Sequence, residues 1–254
     1  MSRLEAEALC FSRPGIKNLL TDVSLSLEAG RIIAVLGANG AGKTSLLSLL
    51  AGKLKPGRGR VLLEGTELSS LSPREIALKI AFLPQIERLP FNYPVLDFVL
   101  LGRAPHISPL SLPGQGDYRA ARKALEEAGV ASLEARGAAT LSGGEFQLVR
   151  IARCLAQESG ILLLDEPSSL LDPAHAAAVA QKLSDLAKSG MAILFTTHDI
   201  GLAYSVADTA ILLHQGRLIN PGSAKRLFDM DTLKKAFGAE FTELSLPSAY
   251  SPRA

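Results

Sequence analysis

The stretch RIIAVLGANGAGKTSLLSLL, residues 31–50, joins an almost uninterrupted apolar run to a run with helical spacing through three glycines, a lysine and a threonine. The octet GANGAGKT (37–44) fits G-x-x-x-x-G-K-[ST], and its strand-to-helix setting is the one in which that pattern has mechanical meaning. Glycines let successive backbone N–H groups turn inward around phosphate oxygens, and the dipole of the helix that follows adds positive potential. Gly37, Asn39, Gly40, Ala41, Gly42, Lys43, Thr44 and Ser45 are therefore the candidate phosphate-binding residues. Lys43 is expected to contact the β- and γ-phosphates of a nucleotide, and Thr44 to bind Mg²⁺.

A phosphate loop needs an acidic residue at the end of a second buried strand to hold its metal. ILLLDEP (161–167) supplies two: Asp165 for the metal shell, and Glu166 to orient and deprotonate an attacking water. IAFLPQ (80–85) and MAILFTTH (191–198) are apolar runs of the same kind as RIIAVLG (31–37). Near-continuous hydrophobicity marks strands covered on both faces, so these four are expected to form a parallel sheet. Gln85 and His198 end two of them on the carboxyl edge, where open α/β sheets bind ligands. Gln85 can reach the metal or the water, and His198 can donate to the γ-phosphate.

DVSLSLE (22–28) alternates apolar and polar residues instead, as expected for a half-buried strand in an antiparallel layer. Ser72-Pro73-Arg74-Glu75 is a capping box with proline at the first helical position, and Asp172-Pro173 is an N-cap followed by proline. From 86 to 140 the texture changes to helical patterns at about 94–103 and 117–128, separated by the Pro/Gly-rich APHISPLSLPGQG (104–116). The expectation is one domain: an α/β core from 1–85 and 141–220, a helical insert at 86–140, and short C-terminal helices with a loose tail at 221–254.

The 254 residues carry 27 Lys+Arg against 25 Asp+Glu, a formal charge of +2, which gives no ground for a nucleic-acid partner. The two cysteines, Cys10 and Cys154, form no C-x-x-C pair and suggest neither a disulfide framework nor zinc. Glu5 and Glu7 interrupt the start where a signal peptide needs an apolar run, and no stretch approaches the ~18 apolar residues of a membrane span, so a soluble chain is expected.

LSGGEFQLVRIAR (141–153) opens another capping box, with Ser142 as N-cap and Glu145 at N3. Capping accounts for Ser142 and Glu145 but not for Gly143 and Gly144, since glycine inside a helix costs roughly 1 kcal/mol relative to alanine. A close approach by something else explains them. With these residues in place, the chain resembles the ATPase subunits of ABC transporters: GANGAGKT, Gln85, LSGGE, ILLLDEP, SLLD (169–172) and His198 stand in that order and spacing.

The resemblance covers nearly the whole chain and implies the ABC ATPase fold: a P-loop NTPase core with a parallel sheet, an N-terminal antiparallel β layer and a helical insert. It implies ATP and Mg²⁺ as cofactors, with Thr44, Gln85 and Asp165 around the metal and Lys43, Gln85, Glu166 and His198 acting in hydrolysis. It also implies a homodimer in which Ser142, Gly143 and Gly144 of one subunit close on the γ-phosphate held by the other, with Asp172 in the loop that crosses between them. Phe11 stands for the adenine-stacking aromatic, and Glu145 for a position that is most often glutamine. VLDFVLLGRAPH (95–106) and DYRAARKALEEAG (117–129) resemble the inserts of bacterial importers for iron siderophores, haem and cobalamin. That implies integral-membrane permease subunits, indirectly a substrate-binding protein, and a peripheral location on the cytoplasmic face of the bacterial inner membrane. A soluble ATPase of a cytosolic assembly machine, and an importer for another substrate such as molybdate, are the alternatives.

Overall fold

The computed structural model of the chain describes residues 3–87, 89–169 and 171–223. With elements numbered in chain order, β1 (Arg3–Arg13), β2 (Ile16–Glu28), β4 (Arg58–Leu63) and β5 (Thr66–Glu67) make an antiparallel sheet of order β2-β1-β4-β5. The second sheet holds β3 (Ile32–Leu36), β6 (Ile80–Leu83), β7 (Ile161–Asp165), β8 (Ala192–Thr197), β9 (Thr209–His214) and β10 (Arg217–Ser223), in the order β10-β9-β3-β8-β7-β6. The four apolar runs do pair in parallel, as the sequence implies, and β9 joins them as a fifth parallel strand beside β3. β10 runs antiparallel on the edge.

The parallel strands are apolar along most of their length, with polar residues at their ends, because both faces are covered. In β3, Ile32, Ala34 and Leu36 enter one hydrophobic cluster and Ile33 and Val35 the other. The second cluster is shared with β1, β2 and α1 (Lys43–Leu50); the first is shared with α3 (Val95–Leu100), α4 (Gln115–Ala128), α5 (Gly143–Ala156), α6 (Pro173–Lys188) and α7 (Ile200–Val206). The sheet is thus the middle layer, and its carboxyl edge is left for chemistry. β1 escapes a sequence reading because register shifts break its alternation, one of them around Ala8, whose φ is 48°.

Residues 86–140 contain α3, α4 and three single 3-10 turns, with one isolated bridge between Pro94 and Gly137. The segment is tied to the core by Arg103, a buried cation whose guanidinium donates to the Ala156 carbonyl at 2.8 Å, to Glu158 at 2.6 Å and to Asp117 at 3.2 Å. The capping boxes at Ser72 and Ser142 both form, and they start α2 (Pro73–Ala77) and α5. Asp172 caps α6 through the backbone N–H of His175. Ser223, expected to begin the C-terminal helices, is instead the last residue of β10, held by the ladder to β9. The rest of that expectation, 224–254, lies outside the described residues.

Candidate nucleotide site

The phosphate loop leaves β3 and enters α1 with two of its glycines in the left-handed region, Gly40 at φ 81° and Gly42 at φ 106°. An L side chain is strained at either position. Gly37 is required for a different reason, since a Cβ there would stand 2.5 Å from the carbonyl oxygen of Leu213 in β9. The Lys43 side chain is buried, and its ammonium donates to the carbonyl oxygens of Gly37 (2.8 Å) and Ala38 (3.3 Å). It also lies 3.3 Å from Glu166 Oε1. Asn39, Gly40, Gly42, Lys43, Thr44 and Ser45 line a cleft of about 430 Å³, and Gln85 and Glu166 line it too. The cleft therefore unites the loop with two of the strand-end residues.

The acids are set by β7 and its neighbour β8. Asp165 is almost fully buried and accepts a 2.6 Å hydrogen bond from the Thr196 hydroxyl. Glu166 follows at φ 53°, a left-handed conformation rare outside glycine. Such strain persists where surrounding bonds over-determine it, often at functional sites. Here the Glu166 N–H donates to the Thr196 hydroxyl at 3.0 Å and to its carbonyl at 3.1 Å. The Glu166 carboxylate is 6% exposed, with Lys43 near one oxygen and His198 Nδ1 2.7 Å from the other. Gln85 and His198 lie just beyond the ends of β6 and β8 rather than within them, and both are exposed.

Ser142, Gly143 and Gly144 are not part of this cleft. Ser142 and Gly143 are exposed on the outside of α5, whereas Gly144 is buried. The Glu145 carboxylate is engaged by its own chain. It accepts the Ser142 N–H at 2.8 Å and pairs with Arg136 at 3.1 Å, and the backbone bond is the leading reason that its pKa is lowered. The residue is thus consumed locally by the cap. Phe11 is half-buried against the core of the antiparallel layer, and Arg13 and Leu19 form the cleft wall on that side. Those two residues and Thr196 were not reached from the sequence. For Arg13 the signal was its place two residues beyond Phe11; Thr196 carries no motif of its own.

α5 also links the segments that carry Glu166 and Gln85. Gln147 donates to the Pro167 carbonyl at 2.7 Å, next to Glu166, and accepts from Arg150 at 2.7 Å. Arg150 in turn donates to the Pro84 carbonyl and pairs with Glu87, which Arg153 also holds. Pro84 and Glu87 bracket Gln85, so its backbone is anchored from both sides.

A larger depression of about 630 Å³, walled by Leu54, Leu68, Leu71, Ile76 and Phe82, lies elsewhere. The phosphate loop, Gln85 and Glu166 line the smaller cleft and not this one. Burial raises the Cys154 thiol to about 11, which leaves it an inert core residue. Among the described residues no group of three or more His, Cys, Asp or Glu could hold a metal ion.

A parallel sheet whose carboxyl edge carries a phosphate loop, an Asp-Glu pair, a glutamine and a histidine, with a helical insert leading into a capped Ser-Gly-Gly helix, defines an ATP-hydrolysing cassette. The chain belongs to the ABC transporter family, whose model matches residues 20–169, and it is an ATP-binding subunit of that family. It is 40% identical to the hemin import ATP-binding protein HmuV of Pseudomonas putida, over 92% of this chain and 95% of the relative. The HmuV of Myxococcus xanthus is 38% identical over 92% of this chain and 89% of its own length. Among solved structures, an inward-facing metal-chelate type ABC transporter superposes with a TM-score of 0.83 at 35% identity, covering 93% of this chain and 89% of that one. The ADP conformation of an ATP-binding cassette of an ABC transporter gives a TM-score of 0.84 at 26% identity, covering 94% and 99%.

Proposed function

We propose that this chain powers import of a metal chelate of the haem class through a membrane permease, working as a homodimer in which each subunit completes the other's ATP site. The observation that carries this reading is the division of the site. Loop, acid and glutamine share one cleft, whereas Ser142 and Gly143 are exposed outside it. Half of the γ-phosphate cradle is therefore missing from one chain, and a second copy supplies it. The haem class rests on the relatives, which are hemin import proteins by name and 38–40% identical along their length.

Within one half-site, the N–H groups of residues 39–44 wrap the phosphates and Lys43 moves from the loop carbonyls to the β- and γ-oxygens. That move separates Lys43 from Glu166 and leaves the Glu166 carboxylate to accept a proton from the attacking water. His198, now bonded to Glu166, is exposed and free to turn its other ring nitrogen to the γ-phosphate. Catalysis is by positioning and electrostatics, as in phosphoryl transfer generally. The oxygen donors of Thr44, Gln85 and Asp165 fit Mg²⁺ carried by the nucleotide. When bound, that ion neutralises charge developing on the phosphates. Phe11 remains the proposed partner of the adenine ring, reached across the wall made by Arg13 and Leu19.

The permease contact is proposed along residues 85–103. Leu89 and Tyr93 pack partly against the core, but Phe91 is 69% exposed and Ile86 72% exposed, which favours them as the apolar contacts. On this reading the subunit sits peripherally on the cytoplasmic face of the inner membrane, with a substrate-binding protein on the opposite side. No helix among the described residues is long and apolar enough to cross a membrane itself. The test is co-expression with a permease of a metal-chelate importer, cysteine crosslinking from positions 86 and 91, and haemin-stimulated ATPase activity in proteoliposomes. Crosslinks to a membrane subunit with haemin-dependent turnover are expected. Full activity in a soluble complex without any such crosslink would sink the importer assignment.

A further inference from the structure

The two glycines after Ser142 do different jobs. At Gly143 an added Cβ meets nothing within 4 Å, and the residue is exposed. At Gly144 an added Cβ would stand 2.0 Å from Cδ2 and 2.2 Å from Cγ of His175. That imidazole belongs to the first turn of α6, more than thirty residues along the chain. Its Nδ1 lies 2.6 Å from Asp172 Oδ2, while the His175 backbone N–H donates to Asp172 Oδ1 at 3.0 Å. One carboxylate therefore caps the helix and holds the ring at the same time. Capping alone needs only Oδ1, so the second bond fixes the imidazole in place, and the ring atoms away from Asp172 rest on Gly144. α6 buries Val179, Ala180 and Leu183 in the core, so the ring is carried by a rigid element.

We infer that His175 is a positioning residue for ATP hydrolysis: pinned by Asp172, it seats the backbone of Gly144 and so sets the angle at which Ser142 and Gly143 face a second subunit's nucleotide. The inference rests on the shared-site reading above. It assigns Gly143 to close approach of the nucleotide and Gly144 to contact within the chain. A methyl group at position 144 cannot be accommodated by a slight turn of the ring, because the ring is held at its other side; relief requires breaking the Asp172–His175 bond.

A double-mutant cycle on the purified full chain tests this, with Gly144→Ala, His175→Gly, the double variant, and His175→Asn, whose amide nitrogen can still reach Asp172. Each is first checked for folding by circular dichroism. His175→Gly is expected to lower kcat with little change in KM for ATP, since the loop that binds ATP is untouched, and His175→Asn to recover more of kcat. Gly144→Ala is expected to cost roughly tenfold more in the wild-type background than in His175→Gly, because the clash it creates is with a ring no longer present. An equal cost in both backgrounds, or a wild-type kcat in His175→Gly, overturns the inference. The same variants are placed in a Glu166→Gln chain and run with ATP on size-exclusion chromatography. If Glu166→Gln by itself stays monomeric there, the shared site fails and the inference with it; if it dimerises while the cycle shows no coupling, only the role of His175 falls.

Discussion

Thr196→Val replaces a hydroxyl with a methyl group of nearly the same shape at a site with no solvent exposure. Volume is conserved, so the cost comes from hydrogen bonds. The hydroxyl donates to Asp165 at 2.6 Å and accepts from the Glu166 N–H at 3.0 Å. Losing a donor to a buried carboxylate costs about 1.5–3 kcal/mol. The Glu166 N–H keeps the Thr196 carbonyl at 3.1 Å, so its loss is smaller, about 0.5–1 kcal/mol. The sum is roughly 2–4 kcal/mol of folding stability. Thr196→Ser is the control, because it keeps both bonds and removes one methyl group, for about 1 kcal/mol. Urea unfolding without nucleotide gives both numbers free of ligand linkage. Turnover should follow the same order, with a drop of roughly ten- to hundredfold in Thr196→Val as both acids lose their orientation, and a small change in Thr196→Ser. If the valine variant proves as stable as the serine variant, Thr196 does not hold the acid pair and the account of the site's geometry is wrong.

Lys43→Ala should abolish turnover by weakening nucleotide binding, whereas Glu166→Gln should abolish turnover with ATP affinity intact; nucleotide titration separates them, and equal losses of affinity would refute the separate roles. Four carboxylates at helix starts, Glu75, Asp117, Glu145 and Asp172, have pKa values lowered chiefly by hydrogen bonds from the Ser72 hydroxyl and the N–H groups of Gly114, Ser142 and His175. A folded pKa below the unfolded one stabilises the protein above the ordinary carboxylate range, and the benefit is lost as pH falls through the folded values. Tm should therefore decline on acidification below roughly pH 5. Glu145→Gln should show a shallower decline, and the same slope in both proteins would count against a charged cap.

Features that depend on a few neighbouring residues were legible from the chain alone. The phosphate loop, the strand-end acids and the three helix caps each announce themselves within about eight positions, because a turn or cap is made of local hydrogen bonds. TAILLH (209–214) is an apolar run of the same kind as the four parallel strands and was readable on the same grounds. β1 was not, since its bulges destroy the period that identifies a strand. Thr196, Arg13 and the ring of His175 also stayed hidden, because their significance lies in contacts across the fold. Gly144 shows this most directly: a glycine explained by an external ligand in the sequence has a neighbour from its own chain in the structure.

Gln147 and Arg150 lie one turn apart on α5, and together they fasten the peptide after Glu166 to the peptides around Gln85. The segments proposed to activate water and to meet the permease are therefore hung from a single rod whose tip is the Ser-Gly-Gly turn. A helix is stiff along its axis and gives little between adjacent turns, so neither attachment can shift without tilting that tip. On the proposed function, timing would need no dedicated signal: arrival of a nucleotide, departure of phosphate and movement of the transport partner would be read through the slope of one helix.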